Sequence, residues 1–129
     1  MYENEPTSYG FKMRFGGYID IDEMESWANE VQQGIDRTPD EWHCFVDMRD
    51  LDSMSEEGQQ LMSDVKAECH ESGLTRVATL VESPTVRLQF EQMSEGTGGD
   101  QERYLDAQST TDPERTAIEW VRDGIDPES

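Results

Sequence analysis

Lysine is nearly missing from this chain: Lys12 and Lys66 are the only two in 129 residues, and arginine completes a set of ten basic side chains against thirty acidic ones. A net charge of −20 argues against docking on nucleic acid or on an anionic membrane, because like charge repels both. Long apolar runs are missing as well. No segment approaches the ~20 residues that span a bilayer, and MYENEPTSYG carries no basic-then-hydrophobic leader, so a soluble, cytoplasmic protein without membrane insertion is expected. The two cysteines, Cys44 and Cys69, are too few for a disulfide framework, and reduced thiols are the simpler expectation.

What remains is enough for one domain with a single core. A mean hydropathy of −0.86 would suit a disordered chain, but WHCFVDM, RVATLV and AIEWV recur between polar segments, and disordered chains lack such regular apolar stretches. The acid excess suits a surface solvated in molar salt, where the Debye length falls from about 8 Å to about 3 Å and silences self-repulsion. This usage is similar to that of halophilic cytosolic proteins; an acidic mimic of nucleic acid is the other reading.

Residues 1–8 read as a flexible arm, 9–124 as the domain and 125–129 as a tail. SYGFKMRF alternates Tyr9, Phe11, Met13 and Phe15 against polar positions, which predicts a strand; Gly16 and Gly17 then predict a tight turn into YIDI, a hairpin. Asp22 with Glu25 suits a helix start, Met24, Trp27, Ala28 and Val31 recur at helical spacing, and Gly34 suits its end. After a loop with Pro39, WHCFVDM predicts a central strand apolar on both faces. A second helix with the stripe Leu61, Met62, Val65 and Cys69 runs to Gly73, and TRVATLV is the next strand. Ser83 and Pro84 open a third helix along Val86, Phe90 and Met93, although Val86, Leu88 and Phe90 also alternate as in a strand. EGTGGD predicts a loose turn, ERYLD a short strand, and TTDPERTAIEWVRDG a last helix capped at Thr111 or Asp112 and closed by Gly124. The expected fold is α/β: one domain with a mixed, mostly parallel sheet of four to five strands covered by about four helices.

The stretch DLDSMSEEG joins the central strand to the second helix. Ser53 stands at capping-box spacing from Glu56, and Ser55 is an equally good cap; Glu56 and Glu57 complement the positive end of the helix dipole. Taken together, FGGYIDIDEMESW, CFVDMRDLDSMSEEGQQLM, GLTRVATLVESPTVRLQFEQMSEG and ERYLDAQSTTDPERTAIEWV resemble the STAS superfamily of anti-sigma-factor-antagonist-like domains, in its SpoIIAA-like branch. The resemblance runs from about residue 11 to residue 124 and is carried by the whole pattern, not by one diagnostic residue. In regulatory members the corresponding helix begins Asp-Ser-Ser-Gly, and phosphorylation of the second serine breaks binding to a kinase partner. An ungapped match puts Ser55 on the aspartate, Glu56 and Glu57 on the two serines and Gly58 on the glycine. The acceptor position is then Glu57, which cannot take a phosphate but carries part of its charge. The resemblance thus implies a non-enzymatic interaction or regulatory domain that meets a protein partner through Asp50, Asp52, Ser53, Ser55, Glu56, Glu57 and Gly58, with Ser53 and Ser55 as the nearby phosphorylatable hydroxyls. Helix capping is a sufficient structural duty for both serines.

Other chemistry is tempting and poorly supported. His43, Cys44, Cys69 and His70 form two mirrored pairs, but strand neighbours point to opposite faces, so His43 and Cys44 cannot readily share an ion. EGTGGD lacks the Lys-Ser/Thr sequel of a phosphate loop. Asp47, Asp50 and Asp52 lack calcium-loop spacing. No metal, cofactor or catalytic set is expected. Trp27 and Trp120 fit the core, and Trp42 at the start of the central strand is expected half-exposed. The alternative function is a carrier holding a small apolar or lipid-like ligand between helices and sheet.

Overall fold

The apolar alternation of Gly10–Ile19 and the unbroken apolar run from Trp42 lay two long strands side by side, and the other elements are arranged about them. The computed structural model describes residues 1–94 and 101–127. The order is β1 (Tyr2–Pro6), β2 (Gly10–Ile19), α1 (Ile21–Ile35), β3 (Trp42–Met54), α2 (Glu56–Glu71), β4 (Leu74–Val81), α3 (Pro84–Ser94), β5 (Glu102–Asp106) and α4 (Pro113–Asp123). The strands lie in the sheet in chain order, β1 antiparallel to β2 and every later pair parallel.

That order decides where the helices go. Right-handed crossovers that always step in one direction must place their helices on one face. Met24, Trp27, Ala28 and Val31 of α1, Met62, Val65 and Cys69 of α2, and Val86 and Phe90 of α3 accordingly share one core with Phe11, Met13, Phe15 and Trp42. Only α4, which follows the last strand, reaches the second face, where Ala117, Trp120 and Val121 pack on Phe45, Ala78, Leu80 and Leu105. The half of that face over β2 is covered by ion pairs: Lys12–Glu114 at 3.2 Å, Arg14–Asp50 at 2.8 Å and Arg49–Asp47 at 2.8 Å.

The amino-terminal third differs from expectation. Residues 2–6 are not a loose arm: they form β1, with Tyr2 opposite Phe15 and Asn4 opposite Met13, and Tyr2 donates to Glu30 on α1. Gly16 and Gly17 make no hairpin turn; β2 continues through them to Ile19, parallel to β3. Tyr9 leaves the Phe11, Met13 and Phe15 face and packs in the α4 cluster. Gly10 between them has φ +144, a backbone that only glycine adopts readily, and a Cβ there would stand 2.1 Å from the His43 carbonyl oxygen. The first helix starts earlier than Asp22: Asp20 is its cap, accepting from the Glu23 amide at 3.0 Å. Gly34 lies inside its last turn, where a Cβ would meet the Phe11 ring at 2.7 Å.

The later elements follow the expected plan. Trp42 is the exception: it is fully buried, its indole donating to the Ser72 carbonyl, because Phe11 stacks edge-on against it at 5.6 Å. Leu61 is half-buried beside the α2 stripe rather than on it. The side chain of Met93 and the whole of EGTGGD lie outside the described residues. Ile125 is exposed, while Asp126 of the expected tail accepts from Nε and Nη2 of Arg103, each at 3.0 Å.

Candidate functional site

The stretch from residue 50 to residue 58 straddles a strand and a helix. β3 does not stop at the apolar run but continues to Met54, so Asp50, Asp52 and Ser53 belong to a strand and not to a loop. Its pairing with β2 slips twice, since Arg14 and Gly16 face Asp47 and Asp50, and Gly17 and Tyr18 face Leu51 and Ser53. Each slip leaves an extra residue on β3, and such bulges turn side chains away from the regular pleat. Leu51 and Met54 stay in the core while Asp50, Asp52 and Ser53 point to solvent.

Ser55 is the cap of α2. Its hydroxyl accepts from the Gly58 amide at 3.1 Å, and its own amide donates to the Ile19 carbonyl at 3.1 Å, which ties the start of the helix to the end of β2. Ser53, the other capping candidate, is paired with Tyr18 in the sheet and caps nothing. Glu56 and Glu57 stand exposed in the first turn. Gly58 is buried: a Cβ there would come to 3.0 Å from both the Met24 side chain and the Ser55 hydroxyl oxygen. Its role is to let α2 close on α1, and it offers no contact surface.

One residue of this surface was not legible as such. Tyr18 is 59% exposed, the largest exposure among the described big apolar side chains, and lies directly across from Ser53. It follows Gly17, whose φ of +68 marks the local distortion of β2. Asp20 and Asp22, both exposed, begin α1 just beyond it. An aromatic ring thus stands in a rim of carboxylates at the carboxyl ends of β2 and β3.

The remaining candidates disperse. Asp47 faces Arg49, which donates from Nε at 3.0 Å and from Nη2 at 2.8 Å. Burial pushes the Asp47 carboxyl up, but these bonds and the guanidinium charge outweigh it and hold the group below its ordinary value. Asp50 is taken by Arg14. Cys44 and Cys69 are buried; burial raises both thiols, Cys69 to about 12, so neither is a ready nucleophile at neutral pH. His43 points from the opposite face of β3, towards Arg76, and His70 lies against the buried ion pair of Lys66 with Glu102. Among the described residues no group of three or more His, Cys, Asp and Glu could hold a metal ion, and no helix is long and apolar enough to cross a membrane.

Between the sheet and α1–α3 lies an apolar cavity of about 60 Å³ bounded by Phe15, Trp27, Met48, Met62, Val77 and Phe90. A cavity of roughly 150 Å³ is what accommodates benzene, and this one is smaller.

No protein-family model and no curated protein matches the sequence. Solved structures share its shape. The anti-sigma factor antagonist SpoIIAA in its unphosphorylated form superposes with a TM-score of 0.69 over 97% of this chain and 100% of its own, at 22% identity. An uncharacterised protein with a SpoIIAA-like fold from Shewanella loihica PV-4 gives 0.68 at 14% identity, over 94% of this chain and 92% of its own. The Bacillus cell fate determinant SpoIIAA in the phosphorylated form gives 0.61 at 18% identity, over 84% of this chain and 94% of its own. Among the described residues, the five-stranded mixed sheet and its four helices therefore have the SpoIIAA-like fold.

Proposed function

We propose that this chain is a non-enzymatic regulatory domain that docks a protein partner through the amino end of α2 and the adjoining ends of β2 and β3. The observation that carries the reading is the exposure of Glu56 and Glu57 in the first turn of α2, beside the exposed ring of Tyr18. SpoIIAA, which shares this fold, has an unphosphorylated and a phosphorylated form. Here Glu57 occupies the position that the resemblance matches to the modified serine, so a constant carboxylate replaces a reversible phosphate. Ser55 caps α2 and Ser53 is a strand residue, so both serines have structural places, which supports docking as the work of this surface. The contact set is Tyr18, Asp50, Asp52, Ser53, Glu56 and Glu57. A net charge of −20 is read as adaptation to a high-salt cytoplasm.

Aromatic residues at the centre of an interface commonly cost 2 kcal/mol or more when truncated, so Tyr18→Ala is expected to weaken the complex about 30-fold. Glu57→Lys reverses a rim charge. In molar potassium chloride only charges in direct contact still act, since the Debye length is about 3 Å. The test is quantitative capture of the partner from a high-salt lysate by wild type, Tyr18→Ala and Glu57→Lys, with circular dichroism as the check on folding. Loss of the same partner by both folded variants is the expected result. Equal retention by all three would remove this surface as the contact.

A further inference from the structure

Away from that surface, on the α4 side of the sheet, His43 and Arg76 form an arrangement that docking does not use. His43 is nearly buried on β3, and both of its ring nitrogens face donors of one residue. The Arg76 backbone amide lies 3.2 Å from Nδ1, and Arg76 Nη2 lies 3.1 Å from Nε2. A neutral imidazole can accept at one nitrogen; an imidazolium can accept at neither. The same Nη2 donates to the Val121 carbonyl at 3.2 Å, in the last turn of α4, and the guanidinium lies 5.8 Å from the Trp120 ring centre. Gly124, the left-handed cap that ends α4, packs close enough that a Cβ would touch Arg76 Nη1 at 3.4 Å. Among the described residues no carboxylate lies within ion-pair distance of Arg76, and its Nε–H has no acceptor. Its charge is met by the negative end of α4 and by the indole face.

We propose that His43 and Arg76 form a proton-operated latch that holds the carboxyl end of α4 on the sheet when His43 is neutral and releases it when His43 is protonated. Protonation removes the acceptor and sets two cations 3.1 Å apart. The groups facing the ring are few. Arg76 comes from β4, and Glu41, before β3, has its carboxylate 4.0 Å from Nε2, where it favours the proton. Asp123 at the end of α4 lies close enough to Arg76 to feel its charge, and the Tyr9 carbonyl accepts from the His43 amide. Burial first and Arg76 second lower the readiness of His43 to take a proton, outweighing Glu41. The released ring therefore binds a proton that the latched ring refuses. The latch is complete above the ordinary imidazole value of about 6.5 and is lost as pH falls below it.

Amide hydrogen exchange of residues 120–124 tests this in the intact chain at constant high salt. One linked proton changes protection by up to about tenfold per pH unit. After correction for intrinsic rates, protection of the last α4 turn is expected to fall between pH 7.5 and pH 5, with a slope no steeper than that limit. His43→Asn, which keeps an acceptor for the Arg76 amide and cannot titrate in this range, should abolish that fall, while His70→Asn should retain it. An unchanged pH response in His43→Asn would overturn the latch. Should that variant not fold, the wild type still decides: the fall in α4 protection must begin near the ordinary imidazole value of about 6.5 and level off where NMR shows the His43 ring of the intact chain taking its proton, and a fall that runs on below that point overturns the proposal.

Discussion

Ser55 and Gly58 show how little of a residue's role is visible from its type. Both serines of the acidic stretch suit a cap, and spacing alone does not choose between them. The choice is made by β3, which stays paired with β2 as far as Met54 and so uses Ser53 as a strand residue. Ser55→Ala is expected to cost about 1 kcal/mol in a denaturant titration, the usual worth of such a cap, while Ser53→Ala should cost little. Equal losses would mean that the two hydroxyls share the work. Gly58 matches the family glycine in sequence, yet its contacts are internal, with Met24, Met54 and Ser55. Tyr18 reads as one more residue of a short strand; only its register opposite Ser53 reveals that it stands at the rim of the acidic surface.

At the scale of the element, the helices were legible because their apolar residues recur at helical spacing and their ends carry Ser55, Pro84 and Gly124. β1 was not. YENEP has no apolar alternation, since it is an edge strand whose outer side meets water, and its place comes from the backbone of β2 rather than from its own pattern. Cross-strand pairs contribute about 0.2–1 kcal/mol each and β1 makes five of them, so removing residues 1–6 is expected to lower stability by about 1–5 kcal/mol, read as a fall in melting temperature. A silent deletion would restore the arm. The glycine pair at 16 and 17 looked like a turn because that is where such pairs most often occur; a parallel partner beside it made it part of a continuous strand instead.

Over the whole molecule, charge dominates. With thirty acidic and ten basic side chains, the folded state confines its own repulsion, and screening should relieve it. The melting temperature is expected to rise steadily between about 0.1 M and 2 M potassium chloride, as the Debye length drops from about 10 Å to below about 3 Å. A melting temperature indifferent to salt would count against this account. The three helices gathered on one face follow from handedness and strand order together, and they leave the β2 half of the other face to ion pairs such as Lys12–Glu114. Composition and periodicity by themselves determined the α/β class, the solvated acidic surface, the helices and the central strand, because those depend on local spacing and on bulk charge. The tertiary structure alone decided that residues 2–6 form a strand, that Ser55 rather than Ser53 caps α2, that Tyr18 joins the acidic rim, and that His43 meets Arg76. Each of those depends on which backbone lies alongside which, and that pairing is set by residues far apart in the chain.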